Sequence, residues 1–166
     1  FNISKEKKII TFLGRIHYIK GIDFLIKGFN HLLGLRDDVI LCIVGSDDGF
    51  QKECEKLITD FSINKEVIFT GFLSGNDKNQ ALMDSDIVTQ TSRQEQGAWA
   101  PFEAVLCKTP IVVSKETGAG EDVKRVNAGE LISFGDVEGL SHLLNTMLNN
   151  YNFYKQKTEI AKEYIE

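Results

Sequence analysis

Val-Ile-Leu-Cys-Ile-Val, residues 39–44, is apolar at every position. A strand with one face in water alternates apolar and polar side chains, so an unbroken apolar run belongs to a strand covered on both faces. Shorter runs of the same kind stand at Ile9–Leu13, Val67–Thr70, Ile87–Gln90, Ile111–Ser114 and Leu131–Ser133. Helix-length segments lie between them. Ile22, Leu25, Ile26, Phe29, Leu32 and Leu33 repeat at the spacing of an amphipathic helix, and similar segments run over Gln51–Phe61, Asp77–Met83, Pro101–Cys107 and Val137–Leu148. Residues 151–166 read as a C-terminal helix, clearest from Tyr154 to Glu166, whose thin stripe of Ile160 and Tyr164 is expected to dock on a part of the parent protein outside this chain. Strands alternating with helices predict an α/β fold, a doubly wound parallel sheet of about six strands with helices on both faces. No internal repeat or low-complexity tract interrupts residues 1–166, which read as a single domain.

Composition narrows the function. The 166 residues carry a formal net charge of −5 with both signs mixed along the chain, which indicates neither a nucleic-acid footprint nor a polybasic membrane patch. Any positive site must be local. Cys42, Cys54 and Cys107 show no metal-ligand spacing and read as reduced core thiols of a cytosolic protein. There is no run of 18 apolar residues and no signal-peptide pattern. With no initiator Met and a strand almost at its start, the chain is expected to be a fragment of something longer.

In an open parallel sheet, ligands bind beyond the carboxyl ends of the strands, and the chemistry-bearing residues fall there. After the strand ending at Gln90 comes Thr-Ser-Arg-Gln-Glu-Gln-Gly-Ala-Trp-Ala-Pro-Phe-Glu-Ala-Val, residues 91–105, with Glu95 and Glu103 eight positions apart around a helix start. Pro101 suits the first helical turn, and no Ser, Thr, Asp or Asn directly before it caps the free N–H groups, which leaves them available to an anion. Carboxylates repel phosphate and accept hydrogen bonds from hydroxyls, so the two acids suggest a phosphorylated sugar. After the first strand, Gly14 and Gly21 bracket a loop carrying Arg15 and Lys20, a fork and a point charge that suit a diphosphate; two surface charges on a loop would read the same. No acidic pair is placed to hold a metal-bound diphosphate: Asp37-Asp38 precedes a strand, and Asp47-Asp48 sits in a loop without a matching acid. His17, His31 and His142 are solitary and read as surface or satisfied residues.

These features stand in a recognisable order: Gly14-Arg15 with Lys20-Gly21, Val44-Gly45, Val-Ile-Phe-Thr-Gly-Phe-Leu at 67–73, and Ala-Leu-Met-Asp-Ser-Asp-Ile at 81–87. Then follow Glu95 and Glu103-Ala104, Lys-Thr-Pro-Ile-Val-Val-Ser at 108–114, and Thr-Gly-Ala-Gly-Glu-Asp-Val at 117–123. Over nearly all its length the chain resembles the C-terminal, donor-binding half of the retaining GT-B glycosyltransferases of the group 1 (GT4) family. The resemblance implies a Rossmann-like sheet and a nucleotide-diphosphate sugar as donor. It implies hexosyl transfer to a glycan or lipid-linked acceptor held by an N-terminal acceptor domain. It further implies no cofactor and no metal, and a cytoplasmic enzyme with peripheral association at the inner face of the membrane, its isolated donor half inactive.

Carried over by position, the resemblance implies that Arg15 and Lys20 neutralise the departing diphosphate and that Glu95 accepts from hydroxyls of the donor sugar. Glu103 would accept from the ribose hydroxyls, Phe72 and Leu73 would edge the base beside Gly14, and backbone N–H groups from Gly97 through Ala98 and Trp99 to Ala100 would meet sugar and phosphate. The family loop reads Glu-Gly-Phe-Gly, whereas here Gln96 and Ala98 replace the glycines and Gly97 stands between them. Trp99 either stacks on the sugar or packs under the helix, packing being the commoner fate of a large aromatic. Thr117–Glu121 reads as a flexible loop that either touches the donor or caps a turn. Two rivals remain at this level: a nucleotide-sugar epimerase of the same architecture, and a non-catalytic nucleotide-binding module. Against a dinucleotide-binding form of the latter, no GxGxxG follows the first strand.

Overall fold

The computed structural model describes residues 3–165, so Glu166, the last residue expected in the C-terminal helix, lies outside the described residues. The chain builds β1 (Lys8–Leu13), α1 (Ile22–Leu33), β2 (Val39–Val44), α2 (Gln51–Asp60), β3 (Val67–Gly71), α3 (Gly75–Met83) and β4 (Ile87–Gln90). It continues with α4 (Ala100–Leu106), β5 (Ile111–Ser114), α5 (Gly118–Val126), β6 (Glu130–Ile132), α6 (Val137–Asn149) and α7 (Tyr151–Lys162). Every strand pairing is parallel, in the order β3-β2-β1-β4-β5-β6.

The continuous apolar runs are strands because both faces are covered. All six residues of β2 are buried. On one face Phe12, Phe29, Ile43, Leu140 and Leu144 join α1, α2 and α6 in one cluster. On the other, Leu82, Val105, Val123 and Ala161 bring α3, α4, α5 and the end of α7 against Val88 and Val113. Removing such a side chain from water contributes about 1.5–3 kcal/mol, so these two layers hold the sheet.

Two sequence expectations are corrected, at β6 and at the start of α5. The last strand begins at Glu130 and ends at Ile132, because pairing with β5 runs from Val112–Glu130 to Ser114–Ile132 whatever the polarity of the first residue. The C-terminal helix, Tyr151–Lys162, begins at residue 151 as expected and buries Thr158 and Ala161, while Ile160 and Tyr164 are exposed. The supposed flexible loop at 117–121 is the first turn of α5: the Thr117 hydroxyl accepts from the Gly120 amide at 3.0 Å, so Thr117 is the cap and Glu121 is not. The glycines there permit close approach. A Cβ on Gly118 would lie 2.1 Å from the Gln96 carbonyl oxygen, and one on Gly120 2.4 Å from that of Ser114.

All three thiols are free, Cys42 and Cys54 buried; burial pushes Cys42 up to about 11 and Cys54 up to about 12. An unfolded thiol ionises near 8.5, so the stability tied to these raised values is complete below about pH 8.5 and lost as pH climbs toward 11. A thiol reagent at pH 8 should therefore leave Cys42 and Cys54 unmodified in the folded chain and modify both in urea. Gly120→Ala tests the packing of α5. Alanine favours a helix by about 1 kcal/mol, but the clash here is with backbone, whose overpacking costs about 1–3 kcal/mol, so the urea midpoint should fall. Gly97→Ala, with nothing within 4 Å of its new methyl, should leave the midpoint unchanged.

Candidate functional site

The sheet reverses its winding between β1 and β4, and the loops leaving those strands diverge to form a crevice. Glycines line its floor. At Gly45, φ is +152° and a Cβ would sit 1.8 Å from the Gly14 carbonyl oxygen, so the loops after β1 and β2 touch backbone to backbone. At Gly21, φ is +65° and a Cβ would sit 2.0 Å from the Thr91 carbonyl oxygen, which joins the β1 loop to the β4 loop. Neither contact admits a side chain.

Two adjoining pockets open above this floor and share Arg15. The first, about 260 Å³, is lined by Gly14, Arg15, Phe72, Leu73, Ala100 and Glu103, together with Lys78. The second, about 310 Å³, is lined by Arg15, His17, Lys20, Glu95 and Gln96 among others. Phe72, Leu73 and Glu103, expected at the base and ribose, thus gather in one pocket with Ala100, and Lys20 and Glu95 in the other, with Arg15 in both. Gly97, Ala98 and Trp99 line neither; they border a third pocket of about 530 Å³ with Phe102 and Leu106, which Glu103 also touches. Trp99 is 82% exposed, so the expected packing under the helix does not occur. Its backbone lies in the helical region at the cap position of α4 and turns the ring outward. Gln96 and Ala98 are absent from the three described non-glycine residues with positive φ, so in this conformation neither position demands glycine. A separate groove of about 740 Å³ lies between α5 and α7 and holds none of these residues.

Each cation of the crevice carries its own acid. Arg15 Nη1 lies 2.5 Å from Asp48 Oδ2, both well exposed. Lys20 closes the short 3₁₀ turn Tyr18–Lys20, whose His17 cap accepts from the Ile19 amide, and its ammonium is ion-paired with Glu95; their side chains are 18% and 15% exposed. Lys78 Nζ donates to Glu103 Oε1 at 2.6 Å. The neighbouring Asp47 is structural, since its Oδ1 accepts from the Gln51, Phe50 and Gly49 amides, which hold its carboxyl below the usual carboxylate range. Among the described residues, no three His, Cys, Asp or Glu side chains gather to hold a metal ion.

Two residues of this region escape a reading of the sequence. Lys78 stands in a polar stretch with nothing to mark it; only the fold brings it to Glu103, 25 residues on. Arg93, two residues before Glu95, lies with its guanidinium carbon 3.9 Å from the Tyr18 ring centroid and its Nη2 2.5 Å from Asp23 Oδ2. A charge adjoining the Glu95 motif is the one available signal.

The crevice brings cations and carboxylates together at the carboxyl edge of the sheet, and comparison with known proteins gives the family. The chain belongs to the family Glycosyl transferases group 1, which matches residues 1–164. It is 27% identical over 161 residues to an uncharacterized glycosyltransferase of Methanocaldococcus jannaschii, covering 97% of this chain and 41% of that protein. It is 32% identical over 138 residues to the GDP-mannose-dependent monoacylated alpha-(1-6)-phosphatidylinositol monomannoside mannosyltransferase of Corynebacterium glutamicum, covering 79% of this chain and 35% of the relative. Among solved structures, Anabaena HepE in complex with UDP-glucose superposes with a TM-score of 0.86 at 26% identity, over 95% of this chain and 43% of that one. The chain spans about two fifths of the length of the curated relatives it matches first.

Exposed or half-exposed ion pairs contribute about 0–1 kcal/mol, since solvent screens them. Lys78→Ala and Glu103→Gln should therefore each shift the urea midpoint by less than about 1 kcal/mol equivalent, with circular dichroism as the readout. A larger loss would make this pair a structural clamp.

Proposed function

We propose that this chain is the donor-binding part of a retaining hexosyltransferase and binds a nucleotide-diphosphate sugar across the two pockets that share Arg15. That sharing is the observation that carries the reading, because it sets one cation between a base-and-ribose pocket and a sugar pocket, where a diphosphate must lie. HepE, similar to this chain over most of its length, is solved with UDP-glucose, and the Corynebacterium relative is named for GDP-mannose, so a nucleotide sugar is the ligand class and the base is uracil or guanine.

In this reading the base edges Phe72 and Leu73, the ribose hydroxyls donate to Glu103, and Arg15 and Lys20 take the diphosphate. Cleavage of the bond between the anomeric carbon and the diphosphate oxygen leaves the electron pair, and the charge, on that oxygen. Arg15 and Lys20 meet this growing charge more strongly in the transition state than in the ground state, which is the condition for lowering the barrier. The chain's own cations neutralise it without a metal or cofactor. Backbone amides from Gly97 to Ala100 serve sugar and phosphate in this reading; Ala100 lines the base-and-ribose pocket, and Gly97, Ala98 and Trp99 border the neighbouring one. The acceptor, a glycan or lipid-linked sugar, is held by a separate N-terminal half, and the whole enzyme works in the cytoplasm against the inner face of the membrane. No described helix is long and apolar enough to cross a membrane.

Lys20 and Glu95 begin as partners and separate in use: the ammonium turns to phosphate, and the carboxylate needs hydroxyl donors in its place. A nucleotide sugar supplies them; a bare diphosphate does not. Calorimetry with UDP and GDP should show binding of at least one. Arg15→Ala and Lys20→Ala should each weaken it by about 1.5–3 kcal/mol, the scale of a hydrogen bond to a charged group. If neither nucleotide binds, or both variants bind as well as the parent, the assignment of the phosphate site is wrong. Glu95→Gln should leave UDP or GDP binding intact or tighter, and abolish the preference for the nucleotide sugar over the bare diphosphate. Weaker binding of the bare diphosphate would place Glu95 elsewhere on the donor.

A further inference from the structure

Lys20 and Glu95 lie 75 residues apart in the chain, on loops leaving β1 and β4, and their meeting needs something to hold both loops in register. Arg93 is placed to do this. Its backbone N–H donates to the Ile19 carbonyl at 2.8 Å, one residue before Lys20. Its Nη1 donates to the Tyr18 carbonyl at 2.6 Å, and its Nη2 to Asp23 Oδ2, in the first turn of α1, at 2.5 Å. The guanidinium carbon lies against two rings, 3.9 Å from the Tyr18 centroid and 5.0 Å from that of Phe134; Phe134 in turn packs edge-on against Phe24 in the core, 5.0 Å away. One side chain thus grips the turn that ends in Lys20, the helix that follows it and a loop from the far end of the sheet. It sits two residues before Glu95.

We propose that Arg93 is a positioning residue for the donor site: it sets the spacing of Lys20 and Glu95 without lining the pocket they share. This deepens the donor-binding reading above and rests on it for the identity of the ligand. Arginine is the residue such a grip demands. A planar fork can donate in two directions while lying against two rings, whereas a lysine ammonium at the same place keeps the charge and loses the geometry. Burial works against the charge, and the hydrogen bond and charge of Asp23 outweigh it, so Arg93 stays ionised and the grip is independent of pH through the neutral range. The backbone contact between Gly21 and Thr91 keeps the loops together without Arg93, so its loss loosens the turn and leaves the sheet intact.

The test is a double-mutant cycle read by calorimetry with UDP and GDP. Arg93→Ala and Arg93→Lys should each lower nucleoside diphosphate affinity about tenfold and leave uridine and guanosine affinity unchanged, because the base and ribose pocket does not touch this grip. In a Lys20→Ala background, Arg93→Ala should add less than a further twofold. Full additivity, or equal losses for nucleoside and nucleoside diphosphate, overturns the proposal. Rescue by Arg93→Lys overturns the geometric part of it. If the parent chain binds neither nucleotide, the donor reading has failed, and hydrogen exchange in the ligand-free chain decides the fate of Arg93. Arg93→Ala should speed exchange at the Lys20 and Gly21 amides about tenfold and leave β2 amides unchanged; no difference at Lys20 and Gly21 overturns it. Failure of both variants to fold would also overturn it, by making Arg93 a residue of the fold and not of the site.

Discussion

The adjacency of β1 and β4 governs the rest of the molecule. A parallel strand can be reached only by a crossover, and the chain lays β2 and β3 on one side of β1 before returning to place β4 on the other. The connections after β1 and β4 therefore leave for opposite faces, and the space between them cannot be filled by either. The make-up of the site follows from which residues arrive there: Arg15 and Lys20 from one loop, Glu95 from the other, Lys78 and Glu103 from the helices that flank the same edge. The glycines at 14, 21 and 45 matter for the same reason, since they let three loops approach as bare backbone and leave room above for a ligand.

Different residues hold the fold and hold the ligand. The two apolar layers remove side chains such as Phe12, Phe29 and Ile43 completely from water, at about 1.5–3 kcal/mol each. The crevice pairs are partly exposed, and for such pairs the attraction gained nearly cancels against desolvation and the entropy of fixing long side chains. They are worth little to stability. For that reason they can be exchanged on the donor reading: Lys20 and Glu95 keep 18% and 15% of their side chains exposed, so ligand hydroxyls can take up the acid that a phosphate displaces, whereas the same exchange within a fully buried pair would strand a charge.

Legibility in the sequence tracks the range of the interaction. Strands are readable because burial on both faces writes itself into consecutive residues, as in Val39–Val44, and β4 and β5 fall where their runs predict. Strand β6 departs from its run by one residue because its register is fixed by a neighbour and not by its own polarity. Glu95 and Glu103 are legible through their spacing within one strand-loop-helix unit. Lys78 and Arg93 are not, since a solitary Lys or Arg looks like any solvated charge until the fold gives it a partner 25 or 70 residues away. Trp99 defies expectation because the usual burial of large aromatics gives way to a backbone that aims the ring outward. The first turn of α5 does so because its glycines suggest mobility, whereas they serve contact with the Gln96 and Ser114 carbonyls.

The charge balance of the whole chain hides the site for a physical reason. With a net charge of −5, the sequence advertises no affinity for anions, and none of the crevice cations stands bare. Arg15 has Asp48, Lys20 has Glu95 and Lys78 has Glu103, so these pairs leave the crevice close to neutral. Screening at physiological ionic strength acts within about 8 Å, and a neutral cluster of pairs projects little field beyond that distance. A free phosphate arriving from solution gains little, because each cation it meets already has a counter-ion and the displaced acid then repels it. A ligand that brings hydroxyls along with its phosphates offers each acid a new partner at the moment it takes the cation away, and carboxylates have acceptor sites enough to take them. On the donor reading proposed above, selectivity for a phosphorylated polyol over a simple anion would be built into the pairing itself, before any contact with a base is counted.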